Sequence, residues 1–224
     1  MKETIRIPIV DIAVGVRTHG LKAGKLAVFI ETHTPYVVNP LVHVQCDSSV
    51  ELSLEQIQAR IETVGEGCRD ISIIGPEPLF TRNIDHLLRF LDMHNYIVEV
   101  DTYGNAPLNQ HRVKRTSPIS MLNRLERSSN IRFLLYYASG NTLYTNELSN
   151  LSSDDTLICR IRSEADLDDC IQLSKTISTA NICFTPVSSL ISPKLVMQKI
   201  VEEKLWGIRY QPTIQDISIH SGQK

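Results

Sequence analysis

The sequence carries no large excess of charge of either sign: 23 Lys and Arg against 25 Asp and Glu leave a formal net charge of −2. A dedicated nucleic-acid binder would carry a basic balance or a clustered stripe. The short run His111-Arg112-Val113-Lys114-Arg115 reads instead as a solvated loop, and no nucleic-acid partner is expected. Also missing is any run near the roughly 18 uninterrupted apolar residues of a membrane span. The opening MKETIRIPIVDIAVGV mixes Lys2 and Arg6 with Glu3 and Asp11 and has no small-residue cleavage site, so it does not read as a leader. These features lead to the expectation of a soluble, cytoplasmic protein with no membrane partner. Cysteine is sparse: Cys46, Cys68, Cys159, Cys170 and Cys183 are odd in number and scattered, which points to reduced thiols rather than a disulfide framework. There is no internal repeat and no low-complexity tract.

What is present is ordinary globular composition, 42% hydrophobic and 21% charged over 224 residues, enough for one sizeable core. One domain spanning 1–224 is expected. Short β-type runs alternate with amphipathic windows. Strands are predicted at Leu26–Glu31, Asp70–Ile74, Ile97–Asp101, Ile131–Tyr137, Leu157–Ile161, Asn181–Phe184 and Ile208–Gln211. Helices are predicted after a capping box at Ser53-Leu54-Glu55-Gln56, after Asn83, after Ser163 and after Ser192-Pro193. The segment Tyr144–Asp155, rich in Ser, Asn and Asp, reads as a flexible loop. Strands separated by helices pair in parallel through right-handed crossovers, in an open sheet or a barrel.

Three segments narrow this scaffold. Ile73-Ile74-Gly75-Pro76-Glu77-Pro78-Leu79 resembles the TGGEPL motif of radical S-adenosylmethionine enzymes, and Val98-Glu99-Val100-Asp101-Thr102-Tyr103-Gly104 resembles their VxxETNG segment one helix later. Thr18-His19-Gly20, Ala23-Gly24 and Leu26-Ala27-Val28-Phe29-Ile30 are similar to the opening of the 7-carboxy-7-deazaguanine synthases, small radical enzymes of queuosine biosynthesis. Phe184-Thr185-Pro186-Val187-Ser188 and the stretch from Ile208 to Asp216 continue the likeness toward the end of the chain. The resemblance implies an α/β fold, a partial (βα)6 barrel of the radical S-adenosylmethionine type, and a homodimer.

The departures fall on the positions that carry the family's chemistry. Its iron–sulfur cluster needs three thiolates in the loop after the first barrel strand, because soft anionic ligands support the reduced cluster. Here the loop has only Cys46, with His43 at the middle position in His43-Val44-Gln45-Cys46-Asp47. The second glycine of the family's GGEP is Pro76, which has no N–H to donate to the cosubstrate. Arg17-Thr18-His19-Gly20 replaces QGEG, and Glu31 stands where the family has an arginine to pair its carboxylated pterin substrate. Gln215-Asp216 replaces the terminal HK.

The reading is a homologue that kept the scaffold and lost the chemistry, with an assembly, regulatory or protein-partner role and neither cluster nor S-adenosylmethionine expected. One alternative is an enzyme with altered metal ligation, zinc held by some of His33, His43, Cys46 and Asp47. The other is a module that binds a nucleoside or purine-like ligand at the barrel mouth. The resemblance assigns that degenerate cosubstrate site to Gly75, Pro76, Glu77, Pro78, Asp101 and Thr102, and the former substrate pocket to Arg17, Thr18, His19, Gly20 and Glu31. Glu77 and Asp101 have a plainer reading as carboxylates bonded to the loops above their strands, and Tyr103, Tyr136 and Tyr137 as aromatics that finish the core.

Overall fold

The alternation of apolar β-branched runs with amphipathic windows becomes one nine-stranded sheet. A computed structural model describes residues 5–34, 48–106, 108, 130–139, 145–178, 180–187 and 189–212. In chain order the elements are β1 (Arg6–Val16), β2 (Leu26–Thr32), β3 (Val50–Ser53), α1 (Leu54–Gly65), β4 (Asp70–Ile74), α2 (Ile84–Met93), β5 (Ile97–Thr102), β6 (Ile131–Tyr137), a short α3 (Thr145–Leu148), β7 (Thr156–Ile161), α4 (Glu164–Thr176), β8 (Asn181–Pro186), α5 (Pro193–Glu202) and β9 (Arg209–Tyr210). A single 3₁₀ turn, Pro78–Phe80, follows β4.

The strand order is β3-β1-β2-β4-β5-β6-β7-β8-β9. Across the sheet from β2 to β9 every pairing is parallel, and from β4 onward each successive strand lies one step further along. Right-handed crossovers that always advance in the same direction put every connecting helix on the same face. The other face is therefore left for a site, as in a barrel interior. The fold is thus α/β with a mostly parallel sheet, and β3 and β9 form its two ends.

Two strands depart from the sequence expectation. β1 pairs antiparallel with both β2 and β3, which makes the sheet mixed at that end. The β1 stretch alternates in the way a half-buried strand should, with Ile7 and Ile9 sealed in the core. A short helix, α3, also occupies part of the segment read as a flexible loop.

The caps explain where the helices begin. Ser53 and Gln56 form the expected capping box at α1, and Ser163 accepts from the Asp166 N–H at α4. Asn83 and Ser192 precede their helices without a side-chain cap bond. Asn83 instead sits in the left-handed region at φ 63° and donates through Nδ2 to the Arg6 carbonyl at 2.9 Å.

Side-chain alternation along the strands separates two environments. Ile30, Ile73, Val100, Phe133 and Leu135 belong to the large core that includes Ile57, Ile61, Leu87, Leu88 and Leu91 of α1 and α2. A much smaller cluster of Leu134, Tyr136, Ile158 and Cys183, with Tyr103 against it, occupies the opposite face. Phe29, Ser72, Glu99 and Arg132 align across four strands on that same face. Polar and charged residues thus enter the interior layer.

Candidate functional site

The carboxyl ends of β4 and β5 are held together by the motif glutamate. Gly75 leaves β4 at φ 150°, and a Cβ there would lie 2.7 Å from the Thr32 carbonyl, so only glycine lets β2 and β4 end this close together. Pro76 and Glu77 follow, and Pro78 opens the 3₁₀ turn. The Glu77 carboxylate accepts from Thr102 Oγ1 and from the Tyr103 N–H, both at 2.9 Å, and the side chain is 1% exposed. Burial pushes its pKa up, opposed by these two bonds and by backbone groups of Leu79 and Asn105. Thr34 Oγ1 donates to the Glu77 carbonyl at 2.9 Å, tying the start of the next loop to the same point.

Asp101 and Thr102 are neighbours on β5 and therefore face opposite sides of the sheet. Thr102 serves Glu77, whereas Asp101 faces the interior layer. The Tyr136 hydroxyl donates to Asp101 Oδ2 at 2.9 Å. Burial raises the Asp101 pKa to about 6, against the lowering effects of the Tyr136 bond and of Arg17, while nearby Glu77 raises it further. Burial and the neighbouring Asp101 charge likewise hold the Tyr136 phenol well above its ordinary pKa, so it stays protonated and able to donate. Tyr103 stacks on Tyr136 with ring centroids 5.3 Å apart, and the His19 ring meets Tyr136 edge-on at 5.6 Å.

The turn between β1 and β2 covers this face. Arg17 reaches across it to form a buried ion pair with Glu99, and its Nη2 donates to the Ile71 carbonyl at 2.6 Å. Desolvation lowers the Arg17 pKa, partly countered by Asp70 and Asp101. Lys22 pairs with Asp70 beside it. Thr18 Oγ1 lies 2.8 Å from His19 Nδ1. Gly20 packs on Leu134 and donates its N–H to Gln211 Oε1 at 3.1 Å, which fastens the turn to the end of β9.

The structure therefore brings Arg17, His19, Gly20 and Asp101 to one face, with Glu31 of β2 in register with Ile74 on β4. Gly75, Pro76, Glu77, Pro78 and Thr102 form the adjoining β4–β5 junction. His33 lies just past β2, where its backbone N–H donates to the Pro8 carbonyl at 3.1 Å. His43, Cys46 and Asp47 lie outside the described residues, as do Ser188 and Gln215-Asp216. Among the described residues no three His, Cys, Asp or Glu side chains are grouped to hold a metal ion.

Sequence reasoning missed Glu99 and the pair Arg160 and Thr185. The alternation Val98-Glu99-Val100-Asp101 was the available signal, because two acids at every second position of an apolar strand must share its inner face. Arg160 and Thr185 are register partners across β7 and β8. Thr185 is 2% exposed, and its Oγ1 has no hydrogen-bond partner among the described residues. An unsatisfied buried hydroxyl costs about 1–3 kcal/mol.

No protein-family model matches this chain, and no curated protein matches it. Among solved structures, QueE from Escherichia coli superposes with a TM-score of 0.65 at 16% identity, covering 92% of this chain and 94% of that one. The fold is QueE-like. The sequence from Thr32 to Ser48 contains one cysteine, Cys68 is partly buried, and Cys159, Cys170 and Cys183 are buried. The Glu77 carboxylate is already committed to Thr102 and Tyr103, and Pro76 has no N–H. No helix among the described residues is long and apolar enough to cross a membrane.

Proposed function

We propose that this chain is a radical S-adenosylmethionine-type scaffold, related in design to the 7-carboxy-7-deazaguanine synthases, that performs no cluster chemistry and acts through assembly or regulation as a homodimer. The observation that carries this reading is the state of Glu77. In the family that the sequence resembles, the motif glutamate holds the amino group of the cosubstrate. Here it links the ends of β4 and β5, bonded to Thr102 and Tyr103 and 1% exposed. A group already satisfied by its own chain gains little from a ligand amine, and releasing it would leave the Tyr103 N–H and the Thr102 hydroxyl without their acceptor. The single cysteine in the sequence between Thr32 and Ser48 supports the same conclusion, since one thiolate cannot replace three.

Anaerobic reconstitution with iron and sulfide, read by metal analysis and near-ultraviolet absorption, tests the proposal directly. The expected product is colourless protein with no stoichiometric iron. A brown protein whose iron depends on Cys46 refutes it, and stoichiometric zinc transfers the protein to the altered-ligation class. Light scattering tests the homodimer, and a clean monomer across a wide concentration range removes that part of the proposal.

A further inference from the structure

We infer that Arg160 and Thr185 form a subsite for an anionic group, a carboxylate or a phosphate, at the carboxyl ends of β7 and β8. The inference goes beyond the function proposed above and does not depend on it.

The two residues lie directly across from one another in a parallel pair, about 4.8 Å apart along the hydrogen-bonding direction. Thr185 is two positions from Cys183 on β8, and Arg160 two positions from Ile158 on β7. Both therefore share the face of the interior cluster that contains Cys183, Ile158 and Tyr136. Two other features converge here: Tyr136 near the end of β6, and Gln211, which holds Gly20 of the β1–β2 turn and whose N–H donates to the Phe184 carbonyl next to Thr185.

Two features point to a ligand. Among the described residues Thr185 Oγ1 is buried with no hydrogen-bond partner, although native folds seldom leave a sealed hydroxyl unsatisfied. Arg160 is half-buried and makes no ion pair among the described residues, while Arg17 and Lys22 on the same side are matched to Glu99 and Asp70. A planar fork of N–H donors beside an idle hydroxyl donor suits an acceptor-rich anion. Asp101, two strands away on this face and held by Tyr136, sets the opposite pole of the site. A ligand seated here would carry its negative group toward β7 and β8 and a donor toward β5.

The test uses the full chain without added metal. Thermal unfolding is followed during titration with inorganic phosphate and, separately, with malonate, at constant ionic strength set by sodium chloride. The expected result is a saturable rise in the midpoint with at least one anion. Phosphate alone identifies a phosphate site, malonate alone a carboxylate site, and both a general anion site. Arg160→Gln and Thr185→Val should each weaken the apparent affinity about tenfold or more, the loss of a hydrogen bond to a charged group. Thr185→Ser, which keeps the hydroxyl, should stay within about threefold of the parent on the same argument. No saturable response beyond that to sodium chloride overturns the inference, and so does a response that both Arg160→Gln and Thr185→Val leave unchanged in folded protein.

Discussion

The guanidinium of Arg17 and the carboxylate of Glu99 are paired where neither is reached by water, at 2% and 3% exposure. Two charges brought out of solvent to this degree stabilise the fold only as a pair, since removing one leaves the other uncompensated.

Glu99→Gln should therefore destabilise the protein by about 3–5 kcal/mol, the usual cost of breaking a buried pair from one side. Replacing both residues, Arg17→Met with Glu99→Leu, should recover most of that loss. Urea denaturation of the single and double variants measures both, and equal destabilisation in the two would show that the pair itself matters less than the space it fills.

Asp101 predicts a specific dependence on pH. Its folded pKa is about 6, against about 3.9 for an unfolded aspartate. Between those values the native state binds more protons than the unfolded state, so this residue makes stability fall as pH rises from about 4 to 6. The span of about two pK units corresponds to at most about 3 kcal/mol. Glu77, whose pKa is also raised, contributes with the same sign. Asp101→Asn should flatten the slope without abolishing it and should be more stable than the parent at pH 7. Unfolding free energies across that range decide the matter, and an unchanged slope in the variant would remove Asp101 as its source.

Tyr136→Phe removes the donor that favours the Asp101 carboxylate. The Asp101 pKa should move further up, shifting the end of the same slope toward higher pH. Carboxyl chemical shifts followed by NMR titration give the direct reading.

Gly75→Ala is expected to lower the unfolding midpoint through backbone conflict, because φ is 150° and the new Cβ would meet the Thr32 carbonyl at 2.7 Å. A cost of about 1–3 kcal/mol is typical of such strain. Gly67→Ala is the useful comparison: its φ is 90° but its Cβ would meet nothing within 4 Å. The difference between the two midpoints isolates the close approach of β2 to β4.

The parallel part of the sheet is legible in the sequence because buried strands such as Ile131–Tyr137 and Asp70–Ile74 are short apolar runs bounded by polar residues, and the observed limits of both coincide with those expected. Ser53 and Ser163 were readable as caps because their partners lie three residues away. Asn83 was not, since its side chain bonds to Arg6 on a different strand, and no local pattern encodes that. The site follows the same division. Glu77 and Asp101 stand out in the sequence as carboxylates at strand ends, but that Asp101 and Thr102, the partner of Glu77, turn to opposite faces of β5 emerges only from the pleat. The Arg17–Glu99 pair and the idle Thr185 hydroxyl depend on long-range contacts.

The clasp between Gly20 and Gln211 joins positions 191 residues apart. During synthesis at about 5–20 residues per second, the turn after β1 emerges roughly 10–40 seconds before its partner exists. Throughout that interval the inner face of β4, β5 and β6 lacks its final fastening, and the charged turn carrying Arg17 must either settle early on β5 or wait for β9. Closing a loop of this length is slow because its entropy is lost before the contact forms. The mouth of the candidate site is thus fastened by one of the longest-range contacts in the fold, and a ligand that binds the β7 and β8 ends of the native state would add to its stability by mass action.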